Sequence, residues 1–395
     1  MPGKRWWLQF HVWLGLIVGV FWGLQGLTGA LLVFNRDIQG AAYTASSPQA
    51  PAGLLPLDSL FRKASFAAGS PVTKIETFGA RPYLVLAYYE DRQAQSKTLI
   101  VDGRSGRILD DRSTDELLPH GFGFWPWLLR FHEAMLGGDR GQYVVGTSGL
   151  LLLFSLGIGI WNGIPAGGRI HAAFRISRWR TTLQRFLGWH RMLGLIVGLP
   201  LLLTVLCGIY LAFAPAIRPV LAHRAGYVPA YQAAPQASAP RRLINAEQAW
   251  QAALHQFPKS QLVRAVLPSA KSPVYLFRLL KPGEWRRWAG TSWVAVNPQS
   301  GKIVASYDAV NGPLANRITD NLYTIHTGEA GGLIARLLVL VDGLMLPAFF
   351  VTGVVTWRRR SAARKSAAAK SRKRERSEIL PLPANAGDAA ADRAA

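Results

Sequence analysis

The sequence predicts a membrane α-helical fold: four transmembrane helices built by an internal duplication, with two small α+β domains set between them. Three observations carry that prediction. Half of the 395 residues are hydrophobic, and they gather into four long runs instead of alternating at the short periods of a soluble core. Residues 11–34, HVWLGLIVGVFWGLQGLTGALLVF, align without a gap on residues 190–213, HRMLGLIVGLPLLLTVLCGIYLAF, and share LGLIVG. Finally, the order span, small domain, span occurs twice along the chain.

The first helix is expected within residues 1–40. Its basic start, MPGKRWW, suits a secretory signal, but the apolar run far exceeds the roughly 7 to 15 residues of a signal core, so it reads as an uncleaved anchor. Trp6, Trp7 and Trp13 suit the headgroup level. A run of 24 residues, at about 1.5 Å each, crosses a hydrocarbon core of roughly 30 Å. Four, eight and eighteen positions beyond His11 stand Gly15, Gly19 and Gly29; beyond His190 stand Gly194, Gly198 and Gly208. Such a stripe fits close helix packing, and it equally leaves room for a flat macrocycle ligated by the histidine.

Residues 41–120 form the first small domain. An Ala/Ser/Pro/Gly linker over 41–56 leads to the amphipathic LPLDSLFRKASF, then to the strand-like VTKIETFG, RPYLVLAYYE and SKTLIVD, with a turn at 102–106 before RILD. Residues 121–165 hold the second helix: the aromatic approach LPHGFGFWPWLLRFHEAMLGG and an apolar run over 143–161. A basic loop at 166–185 carries Arg169, Arg175, Arg178, Arg180 and Arg185 and no acid. The third helix occupies 186–216.

The second domain, 217–315, repeats the first in order: a linker APQASAPRR, the helix LINAEQAWQAALHQF, the strands QLVRAVLP, PVYLFRLL and TSWVAVN, and a turn at 297–302 before IVASYD. The fourth helix lies within 316–358. The basic, alanine-rich segment 359–395 is expected to be disordered.

A net charge of +23 invites nucleic acid, but its placement excludes that reading. Lys4 and Arg5, the loop before the third span, and residues 358–376 all fall on one face if the four helices span, and the positive-inside rule makes that face cytoplasmic, with both termini. The single cysteine, Cys207, permits no intrachain disulfide.

Four of the eight histidines take corresponding places in the duplication. His11 and His190 open the first and third spans; His132, in FHEAMLGG, and His326, in IHTGEAGG, precede the second and fourth. Topology pairs His11 with His190 at the cytoplasmic face and His132 with His326 at the opposite one. Two imidazoles without a nearby carboxylate suit an octahedral iron in a porphyrin plane better than zinc, which wants more ligands. Interfacial histidines bonded to loops remain the alternative. His120, His171, His223 and His255 have no repeat partner and read as loop or surface residues.

The H-x-x-x-G-L opening of helices one and three, the TGALLVF ending of helix one, and FHEAML and IHTGE resemble the PepSY-associated transmembrane family of bacterial inner-membrane proteins. The narrower likeness is to its ferric-siderophore reductases, and it covers residues 1 to about 360. It implies PepSY-like periplasmic domains, two haem b groups held by His11 with His190 and by His132 with His326, and a ferric siderophore as periplasmic electron acceptor. The third span departs from the family's T-G ending, with Cys207 before Gly208. No dinucleotide fingerprint is present, so the electron donor is expected to be a quinol, a soluble reductant or another reductase. A general electron carrier and a non-redox binding or regulatory protein are the alternatives. Asp342, inside the fourth run, is a candidate functional residue by its position, or a partner for Arg336. KPGEWRRW at 281–288 reads either as a site for an anionic ligand or as a solvated hairpin tip.

Overall fold

The computed structural model describes residues 2–44, 53–78, 81–113, 123–165, 170–175, 180–232, 241–270 and 272–379. His120, Phe122, Arg169 and Arg178, half of the first expected linker, most of the second and residues beyond 379 lie outside them. Four helices are long and apolar enough to cross a membrane, over Arg5–Leu32, Gly138–Gly163, Thr182–Ala225 and Glu329–Arg372.

Each half of the duplication begins with a spanning helix. In the first half α1 (Pro2–Leu32) ends in a turn at Val33 and Phe34, and α2 (Asn35–Thr44) continues beyond it. Next come α3 (Leu57–Ala68) and the strands β1 (Val72–Phe78), β2 (Arg81–Glu90), β3 (Ser96–Asp102) and β4 (Ile108–Ser113). The half closes with α4 (Phe124–Ala134) and α5 (Gly138–Gly163). In the second half one unbroken helix, α6 (Thr182–Ala225), replaces α1 and α2. It is followed by α7 (Ala246–Gln256), β5 (Gln261–Val266), β6 (Tyr275–Leu280), β7 (Ser292–Val296), β8 (Ile303–Tyr307), α8 (Leu314–His326) and α9 (Gly332–Ile379).

The expected two domains are joined into one. All eight strands form a single antiparallel sheet in the order β4-β3-β2-β1-β5-β6-β7-β8, so each half contributes a four-stranded meander and the halves meet where β1 pairs with β5. At that seam Glu76 lies opposite Arg264 in register, and the two form an ion pair at 2.6 Å. α3 and α7 cover one face of the sheet. Leu60, Phe61 and Ala64 of α3 and Ala249 and Ala253 of α7 pack with Ile75, Val85, Phe277 and Val294. The two helices also cap each other. Asp58 of α3 accepts the N–H groups of Ala246 and Glu247 at the start of α7, and Glu247 accepts the N–H of Leu57 at the start of α3. Each carboxylate thereby satisfies orphan donors and complements the dipole of the other helix.

Two further expectations are corrected. His132 does not lie on a helix continuous with the second span: Met135 and Leu136 adopt positive φ of 49° and 62°, which turns the chain and lays α4 back against α1. The same happens after His326, where Gly328 and Gly332 have positive φ. The basic segment after Trp357, expected to be disordered, continues α9 as helix to Ile379, because its Ala, Lys, Arg and Glu content has high helical propensity.

Candidate functional site

The four repeat-matched histidines meet in two pairs, one at each end of the spans. At the end bearing the basic segments, His11 of α1 and His190 of α6 have ring centroids 6.3 Å apart. At the end bearing the sheet, His132 of α4 and His326 of α8 have centroids 6.2 Å apart. Each pair takes one ring from each half. A metal ion midway between two imidazoles, about 2 Å from each nitrogen and with each ring centre roughly 1.1 Å further back, sets the centroids about 6.2 Å apart. Both pairs stand at that spacing.

Every ring has an outer hydrogen-bond partner at Nδ1. Nδ1 of His11 bonds Ser155 at its backbone carbonyl, 3.0 Å, and Nδ1 of His326 bonds the carbonyl of Thr204, 2.9 Å. A carbonyl only accepts, so both nitrogens carry the proton. Nδ1 of His132 lies 3.0 Å from the Thr28 hydroxyl, and Nδ1 of His190 lies 2.8 Å from that of Thr352. Those hydroxyls can donate within their own helices, Thr28 to Leu24 and Thr352 to Ala348, which leaves them free to accept from a ring protonated at Nδ1. So protonated, all four rings leave Nε2 as the lone-pair nitrogen. This is the arrangement of a ligating histidine, with the second nitrogen held by an outer partner that sets ring orientation. These anchors stay within one half (α1 to α5, α4 to α1, α6 to α9, α8 to α6), whereas the ring pairs cross between halves.

Glycines make the space. A Cβ on Gly29 would stand 2.9 Å from Cε1 of His132, one on Gly208 3.0 Å from His326, and one on Gly159 3.2 Å from His11. Of the expected stripe, Gly15 and Gly194 have nothing within 4 Å of a built Cβ, while Gly19 and Gly198 pack on Phe350 and Ile160. The open pair, one turn beyond His11 and His190, lines a cavity of about 570 Å³ between the spans, within the range of about 300 to 1,000 Å³ usual for ligand sites. Among the described residues no group of three or more His, Cys, Asp or Glu side chains could hold a metal ion.

A model of the PepSY-associated TM region matches residues 8–360. The chain belongs to that family. None of the curated proteins matches it. Its four apolar helices and this match make it a multi-pass membrane protein, and within this PepSY-associated TM region both histidine pairs fall inside the matched residues.

Asp342 is buried in the fourth span at 2% exposure. Its partner is not Arg336 but Thr204, whose hydroxyl donates to Oδ2 at 3.0 Å. Because the Thr204 carbonyl holds His326, Asp342 braces the strut behind that ring. Arg336 instead pairs with Asp37 and lies between Phe34 and Trp288, 4.2 and 4.4 Å from their ring centres. The KPGEWRRW segment is thus no free hairpin tip. Trp288 stacks on Arg336, Arg286 lies over Tyr323 at 4.2 Å, and Glu284 accepts from the N–H groups of Lys281, Thr291 and Ser292, clasping the sheet to the helix ends. Burial pushes the Glu284 carboxyl up. Burial, with Arg286 and Arg264 nearby, brings Arg278 down to about 10. Of the remaining histidines, His171 lies in a short 3-10 helix, His223 in the last turn of α6 and His255 in α7.

The anchors Ser155, Thr204 and Thr352 escaped the sequence reading. Their one signal was a hydroxyl inside an apolar run, which alone names no partner.

Proposed function

We propose that this protein is a di-haem b reductase of the bacterial inner membrane, carrying electrons from a cytoplasmic donor to ferric siderophores on the periplasmic side. One observation carries the reading: four imidazoles, each with Nδ1–H spent on an outer partner, stand in two pairs at the spacing of a two-histidine metal sandwich. The glycines against the rings and the cavity beside His11 and His190 fit a flat, bulky group.

Haem bound there would be held by His11 with His190 and by His132 with His326, and would supply one-electron chemistry at iron. The chain's own part is placement. Thr28, Ser155, Thr204 and Thr352 hold the ring planes, and the apolar walls exclude water. His11 and the Gly29 that faces His132 are 18 residues apart on one helix, about 27 Å at 1.5 Å per residue, so the two sites stand toward opposite ends of the spans. His132 rests against Thr28 and Gly29, inside the outer end of the first span and not well above it. The basic segments orient the termini to the cytoplasm.

Reduction of a ferric chelate to the ferrous state weakens chelation by hard oxygen donors and releases the metal. The test begins with oxidised and dithionite-reduced spectra of the purified protein, expected to show two low-spin haems per chain. Anaerobic addition of a ferric siderophore should then reoxidise the reduced protein, with ferrous iron trapped by a chelator, and His132→Ala should abolish this. A colourless preparation from haem-replete cells would refute the haem assignment. Reoxidation no faster than in the His132 variant, with hydroxamate and catecholate chelates alike, would leave a general electron carrier. Cysteines placed at Ser105 and Ser366 report orientation: only the first should react from outside intact spheroplasts.

A further inference from the structure

The cavity beside His11 and His190 is apolar in its depth and cationic at its mouth. Arg191, Arg360 and Arg364 line it, and among the described residues no acid does. Arg191 is the most committed of the three. Its stem reaches across to α5, with Cγ 3.6 Å from a Cβ built on Gly163, and its Nε is buried without a hydrogen-bond partner. A second orphan stands at the same mouth: Thr356 lines the cavity at 8% exposure, and its hydroxyl also lacks a partner. A buried donor left unsatisfied is costly, the more so on a charged group, so two such donors around one opening point to an acceptor that belongs there.

We propose that this mouth holds a pair of carboxylates, the propionates of the porphyrin whose iron His11 and His190 ligate, with Arg191 and Arg360 as the cations and the Thr356 hydroxyl as a further donor. The inference rests on the haem reading above and adds to it the side from which the ring enters and the groups that keep it there. It also explains a break in the duplication. The position matching Arg191 in the gapless alignment is Val12, so one half supplies the anion anchor and the other an apolar wall. That asymmetry gives the macrocycle one seating out of two. Guanidinium is suited to the task, since its planar fork meets a carboxylate with two parallel bonds.

The test uses the full-length His132→Ala protein, prepared in detergent from haem-depleted cells, so that only the site near the cytoplasmic face is read. It is titrated with iron protoporphyrin IX and, separately, with its dimethyl ester, following the Soret band. The dicarboxylate should bind at least tenfold more tightly than the ester. Arg191→Gln with Arg360→Gln should abolish that preference while still binding the ester, which also shows that the variant is folded. Arg191→Lys should keep part of it. Equal affinity of the His132→Ala protein for the two porphyrins overturns the inference and leaves the haem reading standing; that comparison needs no arginine variant. Binding of neither porphyrin overturns the haem reading and the inference with it. A preference that survives the double arginine substitution places the carboxylates elsewhere and refutes the assignment.

Discussion

Replacing Thr352 by valine keeps the shape of the side chain and removes the acceptor that holds His190. In the structure the Thr352 hydroxyl is 2.8 Å from Nδ1 of His190 and gives its own proton to the carbonyl of Ala348. Valine leaves the Nδ1–H facing a methyl group in a part-buried setting. An unsatisfied buried donor costs about 1 to 3 kcal/mol, and loss of an outer partner of a ligating histidine weakens metal binding about ten- to a hundredfold. The two figures agree, since each 1.4 kcal/mol is about tenfold. Haem at the His11–His190 site should therefore leave Thr352→Val roughly ten to a hundred times faster than its parent. The rate is measured in the His132→Ala background as transfer to excess soluble apo-haem protein. Thr352→Ser, which keeps the hydroxyl, should restore the slow rate. A valine variant as slow as its parent would refute the argument that the hydroxyl sets the tautomer.

Three other outcomes follow from the geometry. Gly29→Ala and Gly208→Ala place a Cβ 2.9 and 3.0 Å from Cε1 of His132 and His326, and overpacking of this kind costs about 1 to 3 kcal/mol; both should lower the haem content of the sheet-side site and the unfolding temperature, whereas Gly157→Ala, with nothing within 4 Å, should change neither. Asp342→Asn should keep the Thr204 brace and a normal sheet-side haem spectrum, while Asp342→Ala should weaken that haem alone, read as loss in the His11→Ala background. At the seam, burial works against the Glu76 carboxylate, but Arg264 and then Lys74 outweigh it and hold its pKa below the ordinary glutamate value of 4.5. A depressed acid stabilises the fold above its unfolded pKa and loses that contribution as pH falls through the folded one, so hydrogen exchange in β1 and β5 should accelerate below about pH 4.5, and Glu76→Gln should flatten this dependence.

The spans and the histidine pairs were legible because both are linear facts. An apolar run of sufficient length is read directly, and LGLIVG repeated after two histidines fixes which residues correspond. The hydroxyl anchors were not legible, since Thr204 and Thr352 acquire meaning only once α6 is known to pack against α8 and α9. The reversal before the second span was hidden for another reason: Met135 and Leu136 occupy the left-handed region that turn signals assign to glycine or asparagine, so nothing in FHEAML marks a turn. The single sheet was missed because strand patterning identifies strands and not their neighbours, and β1 finds β5 across 188 residues of sequence. In the tail, alanine and the long charged side chains carry α9 on to Ile379 although their clustered charge matches the composition of disordered segments.

The reciprocal caps between α3 and α7 bear on how the protein is made. Leu57 and its acceptor Glu247 are separated by 190 residues, and translation at roughly 5 to 20 residues per second needs on the order of 10 to 40 seconds to cover that distance. Throughout that interval the first half has an uncapped α3 and a bare β1 edge, the kind of edge that recruits a stranger's strand. The nascent chain is therefore most exposed to mispairing after its second span is inserted and before β5 emerges, and a stall in the basic loop between α5 and α6 would prolong that exposure.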